Sequence, residues 1–148
     1  MDDEQRVIEF IAANRFPFPG QTDWPTGYRT IANGQRRAMA VPIPGGEVWP
    51  DIVILDAQGK ACRLGEVDAV IDEAAVARWR IASGIADTMN ETGVRNLFVY
   101  VPEGLAEEAL AALDAEAISF AGLREFSVDE QSVRVTPYLT RGDRYDHQ

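Results

Sequence analysis

In the stretch WPDIVILDAQGKACRLGEVD, residues 49 to 68, three carboxylates gather near the two ends: Asp51, Glu66 and Asp68. Oxygen-rich groups of this kind suit Mg²⁺ or Mn²⁺, which keep several waters and accept phosphate oxygens from a substrate. An ion held there lowers the pKa of a bound water and neutralises charge on a phosphodiester. For the three acids to meet, the stretch must fold as a hairpin, and its composition says that it does. Asp56-Ala-Gln-Gly-Lys60 is turn chemistry. Asp51 to Leu55 is a near-continuous apolar run, as in a strand covered on both faces, and Ala61 to Val67 is the return strand. A turn centred near Gln58 pairs Leu55 with Ala61 or Cys62 and brings Asp51 opposite Gly65 or Glu66, where cross-strand neighbours are about 4.5–5.5 Å apart. Glu66 and Asp68, two residues apart, leave the strand on the same face.

The elements around the hairpin can be read outwards from it. Residues 2 to 14 place Val7, Ile8, Phe10, Ile11 and Ala12 on a helical stripe, with Asp2 and Asp3 where the helix dipole favours acids. FPFPGQTDWPTGYR excludes regular helix and predicts an ordered extended loop. Within Tyr28 to Val41 the pattern predicts a short strand over Ala38 to Val41, entered by an Asn-Gly turn at 33–34, and PIPGG reads as a loop. Asp72 is placed to cap a helix running to about Asp87, with Val76, Trp79, Ala82, Ala86 and Met89 on one face. Asn96 to Val101 is a buried strand, 104 to 117 an alanine- and leucine-rich helix, and Gly122 to Val128 a strand followed by the strand-like SVRVTPYL. The polar tail from about residue 140 is expected to be loose. Hairpin strands followed by strand–helix alternation define an α/β sandwich, a mixed sheet flanked by helices in one domain over 1–148.

Composition narrows the partners. The net charge of −10 argues against broad, phosphate-driven binding to duplex DNA, since counterion release demands a basic surface. It leaves room for a local basic groove or for an acidic site neutralised by its own cations. No apolar run is long enough to span a bilayer, and the acidic N-terminus lacks the features of a secretory signal. A single cysteine, Cys62, precludes an internal disulfide and suits a reducing compartment, so the cytoplasm is the expected location. A homodimer is the expected assembly on frequency alone.

Pro50-Asp51, then fourteen residues, then Glu66-Val67-Asp68, resembles the motif of the PD-(D/E)XK nuclease superfamily, the restriction-endonuclease-like fold. That family's core runs helix, three strands, helix, strand, helix, strand, and the chain up to about Val128 follows this order. The resemblance implies that Asp51 and Glu66 are metal ligands for Mg²⁺ or Mn²⁺, that Glu9 of the first helix can join them, and that Arg78 or Arg80 supports the site from the next helix. Asp68 departs from the pattern, because it stands where the family carries a lysine that positions water and steadies negative charge. Lys60, the sole lysine, lies at the turn end of the hairpin, some five strand residues or roughly 16 Å from the acids. A substitute cation would have to be Arg78, Arg80, Arg36 or Arg37. Arginine can stabilise charge but is a poor proton acceptor. The GEVD segment followed by Arg-Trp-Arg looks most like small microbial members of the superfamily that carry a second acid in the lysine position.

Plainer readings stand beside these. Asp51 and Asp68 are also what a loop end and a helix approach would carry, Glu9 a wet helix face, and Arg36, Arg37, Arg78 and Arg80 ordinary surface charges. His147 is expected to be inert and Cys62 a small buried group. Trp24 and Trp49 are expected to pack over the sheet edge, or else to offer a stacking surface to an unpaired base. Two functions follow. One is a divalent-metal-dependent nuclease or related phosphodiesterase, with Asp51, Glu66 and Asp68 holding metal and an arginine replacing the lysine. The other is a catalytically silent member of the fold that serves as a metal-binding or protein-interaction module.

Overall fold

A computed structural model describes residues 2–88, 95–142 and 146–148. Among these residues a six-stranded mixed sheet is flanked by three helices, an α/β architecture. The order is α1 (Asp3–Asn14), β1 (Arg29–Ala32), β2 (Val41–Ile43), β3 (Gly46–Val48), β4 (Ile52–Leu55), β5 (Ala61–Val67), α2 (Glu73–Thr88), β6 (Leu97–Pro102), α3 (Ala106–Ala115), β7 (Gly122–Val128) and β8 (Val133–Thr140). In the large sheet the strands lie β1-β4-β5-β6-β7-β8, and β2 pairs with β3 in a separate hairpin. Strands β5, β6 and β7 are parallel, joined by crossovers through α2 and α3, while β1, β4 and β8 are antiparallel to their neighbours. No helix among the described residues is long and apolar enough to cross a membrane.

Period-two alternation sorts the strand side chains between two cores. Leu97, Val99 and Val101 of β6 pack with Trp79 and Ala82 of α2 and with Ala109 and Leu113 of α3. Phe98 and Tyr100, on the opposite face, pack with Val7, Ile8 and Ile11 of α1. Asp2 caps α1 by accepting from the Gln5 amide at 2.8 Å, and Asp72 caps α2 by accepting from Ala75 at 2.8 Å. Gly65 sits so close beneath Ile52 that a Cβ there would lie 3.1 Å from the isoleucine Cβ, which keeps β4 and β5 tightly registered. Met89, expected on the α2 stripe, lies outside the described residues.

The segment before β4 differs from its expectation. The strand lies at Arg29–Ala32, paired antiparallel with β4, and residues 38–40 are not in a strand. The stretch read as a PIPGG loop holds the β2–β3 hairpin, turning at Pro44-Gly45. Asn33, taken as half of an Asn-Gly turn, is instead a buried hub. Its Oδ1 accepts from the Ala38 and Met39 amides, each at 2.8 Å, and its Nδ2 donates to the carbonyls of Met39 at 2.7 Å and Pro50 at 2.8 Å. The Asn33 amide donates to the Asp51 carbonyl at 2.8 Å. One side chain thus ties the loop after Arg37 to the approach of β4.

The tail is also packed rather than loose at its described end. Gln148 is fully buried, and its main-chain oxygen accepts from the Tyr100 hydroxyl at 2.8 Å. Arg124, itself buried, donates to the Leu139 and Asp146 carbonyls, and His147 meets Phe18 edge to face. An unpaired backbone group in the interior costs as much as a lost hydrogen bond. Asn33→Ala is therefore expected to lower stability by about 1–3 kcal/mol, read as a reduced urea midpoint at unchanged slope.

Candidate functional site

The register of the hairpin decides which acids meet. Ile52 pairs with Gly65, so Asp51, one residue earlier, comes opposite Glu66. Asp51 is held in place by the backbone of the partner strand, its Oδ2 accepting from the Val67 amide at 2.8 Å. Glu66 leaves β5 on the α2 side and is 5% exposed. The two carboxyls lie within hydrogen-bonding reach of each other. Burial raises Glu66 well above the usual carboxylate range, and the charges of Asp51 and Asp68 push it further. Burial likewise lifts Asp51 to about 7, against the lowering effect of the Val67 and Glu66 hydrogen bonds.

Asp68 does not join that pair. It is 3% exposed, and its carboxylate is taken up by α2: Oδ1 by the Arg78 guanidinium, Oδ2 by the Trp79 indole N–H at 2.7 Å. Its amide continues the ladder by donating to the Tyr100 carbonyl at 3.0 Å. Among the described residues no group of three or more histidine, cysteine, aspartate or glutamate side chains is disposed to hold a metal ion. The expected triple convergence is therefore reduced to a carboxyl pair, because Asp68 has found a nearer cationic partner in Arg78.

Arg78 faces the pair from α2. Burial works to lower its pKa, but the bond to Asp68 and the charges of Asp68, Glu66 and Asp51 outweigh this and keep it charged. Arg80, two residues on, is turned away and pairs with Glu116 at 2.7 Å in the groove between α2 and α3. Glu9 is exposed, and the acid that α1 brings near the site is Glu4, raised by burial and by the charge of Asp68. Its place follows from which face of α1 is apolar, since Glu4 stands three, four and seven residues before Val7, Ile8 and Ile11 and so shares their stripe. Lys60 lies at the hairpin turn with its amide on Asp56, away from the acids. Cys62 is half-buried against the α1-side core, and Trp24 packs edge to face on Tyr28.

A cleft of about 190 Å³ opens beside Glu66, lined by Arg37, Val48, Trp49 and Pro50 on one side and by Arg78, Ile81 and Ala82 on the other. Arg37 stands over the Trp49 ring at 5.2 Å from its centroid. Arg36 is exposed and not among the lining residues. Sequence reasoning missed Asn33 and Glu4. For Asn33 the signal, an amide side chain within an Asn-Gly pair, was present but pointed to a turn. Comparison of the chain with protein-family models, curated proteins and solved structures returns no match.

The raised acids make a pH signature. The folded protein holds a proton on Asp51 up to about pH 7, whereas the unfolded chain releases it near the ordinary value of 3.8. The stabilisation is complete below that ordinary value and is lost as pH rises through 7. In a metal-free buffer the melting temperature is expected to fall between pH 5 and 8. Asp51→Asn, which cannot ionise, flattens that slope; an equal slope in both proteins would refute the assignment.

Proposed function

We propose that the chain has a restriction-endonuclease-like fold and acts as a divalent-metal-dependent phosphodiesterase on nucleic acid. The observation that carries this reading is the Asp51–Glu66 carboxyl pair at the ends of adjacent strands, Glu66 buried and Asp51 half-buried, where burial raises both acids. Burying two acids against each other is costly, and no ion pair to either is recorded among the described residues that would offset it. The arrangement is chemically suited to a small hard cation, which takes one or two carboxylates from a protein and fills its remaining positions with water and substrate oxygens. From α1 to β7 the order is helix, three strands, helix, strand, helix, strand once the β2–β3 hairpin is set aside as an insertion and β8 as an added edge strand, and this supports the fold assignment.

The donor set that fits Mg²⁺ or Mn²⁺ is Asp51 and Glu66, while Asp68 serves as the anchor of Arg78 rather than as a ligand. A bound ion would supply charge neutralisation at a phosphodiester and a lowered pKa for water. The chain's own contribution is positional. Asp51 is aimed by the Val67 amide, Glu66 is aimed by the β5 pleat, and Arg78 presents a permanent charge where negative charge develops on a phosphate. Arginine replaces the electrostatic part of the absent lysine and leaves proton removal to water and the carboxylates.

A second reading, a catalytically silent metal-binding or interaction module, draws on one observation: both oxygens of Asp68 are engaged, and the residue offers nothing that a lysine would. Calorimetric titration with Mn²⁺ at pH 7 separates the outcomes. Wild type is expected to bind saturably with release of protons, visible as a dependence of the enthalpy on buffer, and to melt higher in Mn²⁺. Asp51→Asn and Glu66→Gln are expected to lose that binding. Arg78→Ala keeps it and loses about 10²-fold in oligonucleotide hydrolysis. Binding with no cleavage of any DNA or RNA tested selects the silent module; absence of binding removes the phosphodiesterase reading.

A further inference from the structure

We infer that the cleft between Trp49 and Arg78 takes one unpaired nucleotide, with Arg37 as its phosphate clamp, so that the substrate is single-stranded nucleic acid rather than duplex. This deepens the phosphodiesterase reading and rests on it for the chemistry, though not for the binding.

The first ground is Arg37. Arg6, Arg63, Arg78, Arg80 and Arg141 each pair with a carboxylate. Arg37, like Arg29 and Arg36, has no side-chain hydrogen bond or ion pair among the described residues, and of these three it alone lines the cleft. Its one recorded interaction is with the Trp49 ring. Stacking over an indole leaves the guanidinium's N–H donors unspent. A cation held by an aromatic face at a cleft mouth, with its donors free, is suited to a phosphate.

The second ground is that the pair is fixed from behind. Asn33 accepts from Ala38 and Met39, directly after Arg37, and donates to Pro50, directly after Trp49. One buried side chain thereby sets the spacing of the two residues. Such preorganisation lowers the ordering cost of binding.

The third ground is shape. The cleft's volume of about 190 Å³ is on the scale of a single planar base. Its walls are apolar where a base would lie, at Val48, Trp49 and Ile81, and Ile81 is 41% exposed at the mouth. Its polar groups are those that a phosphate would meet, Arg37 and Arg78, with Glu66 beyond them. Binding that relies on stacking and two cations tolerates a net charge of −10, which would repel a long duplex held by many phosphate contacts.

The test is fluorescence anisotropy with a labelled oligothymidylate and with a hairpin duplex of matched length, each in EDTA and in Mn²⁺. The oligothymidylate is expected to bind at least tenfold more tightly than the duplex. Arg37→Ala and Trp49→Ala each weaken it about tenfold, with partial recovery in Trp49→Phe, while calorimetric Mn²⁺ binding stays as in wild type. Arg37 is exposed, so its substitution tests the clamp even if Trp49→Ala proves unstable. Equal or tighter duplex binding, no oligothymidylate binding, or wild-type affinity in Arg37→Ala overturns the inference. Loss of Mn²⁺ binding with retention of single-strand selectivity in EDTA would overturn the phosphodiesterase reading and uphold the nucleotide cleft.

Discussion

The grip of α2 on Asp68 is the contact on which the site depends. A carboxylate this deeply placed at the end of β5 must be met by donors, and the two it receives, from Arg78 and Trp79, are adjacent residues of one helix. The Trp79 ring is fully buried, so its indole N–H also needs a partner. Each group satisfies the other, and the result fixes the rotation of α2 against the sheet. That rotation puts Ala82 and Trp79 on the core, Arg78 at the cleft and Arg80 on the far side with Glu116.

This contact also explains why Asp68 and the Asp51–Glu66 pair behave so differently although all three acids are close. Asp68 is charge-compensated and hydrogen-bonded on both oxygens. Asp51 and Glu66 face each other with no cation bonded to either among the described residues, so burial and the charge of neighbouring acids raise both. Arg78 serves both, bonded to one acid and acting on the others through space. A substitution at Asp68 would therefore disturb the site through Arg78.

Asn33 does for the other wall of the cleft what Asp68 does for α2. The β2–β3 hairpin has little core of its own, contributing Val41 with Ile43 and Val48 to the α2-side cluster. Its position is set largely by hydrogen bonds from one amide side chain to main-chain groups at 38, 39 and 50. The cleft thus lies between two elements, each tied to the sheet by a single buried polar side chain. Apolar packing alone, being non-directional, would not have held either wall to a fixed angle.

Much of this was legible in the order of residues, because local patterns carry it. The Asp-Ala-Gln-Gly-Lys turn sets the hairpin's length, and length with period two dictates that Asp51 faces Glu66. Asp72 and the spacing of Trp79 and Ala82 define α2, and apolar runs define β5, β6 and β7. What sequence could not decide is how groups from separate elements choose partners. Asp68 and Arg78 lie ten residues apart, so whether Asp68 turns to the Asp51–Glu66 pair or to α2 depends on the helix's rotation. Asn33 reads locally as a turn residue, since its partners up to 17 residues away come within reach only once β1 has paired with β4. The chain by itself determined the α/β class and the pairing of two acids. Tertiary structure alone decided that the third acid became an anchor, because a buried carboxylate is settled by whichever donors the fold brings to it.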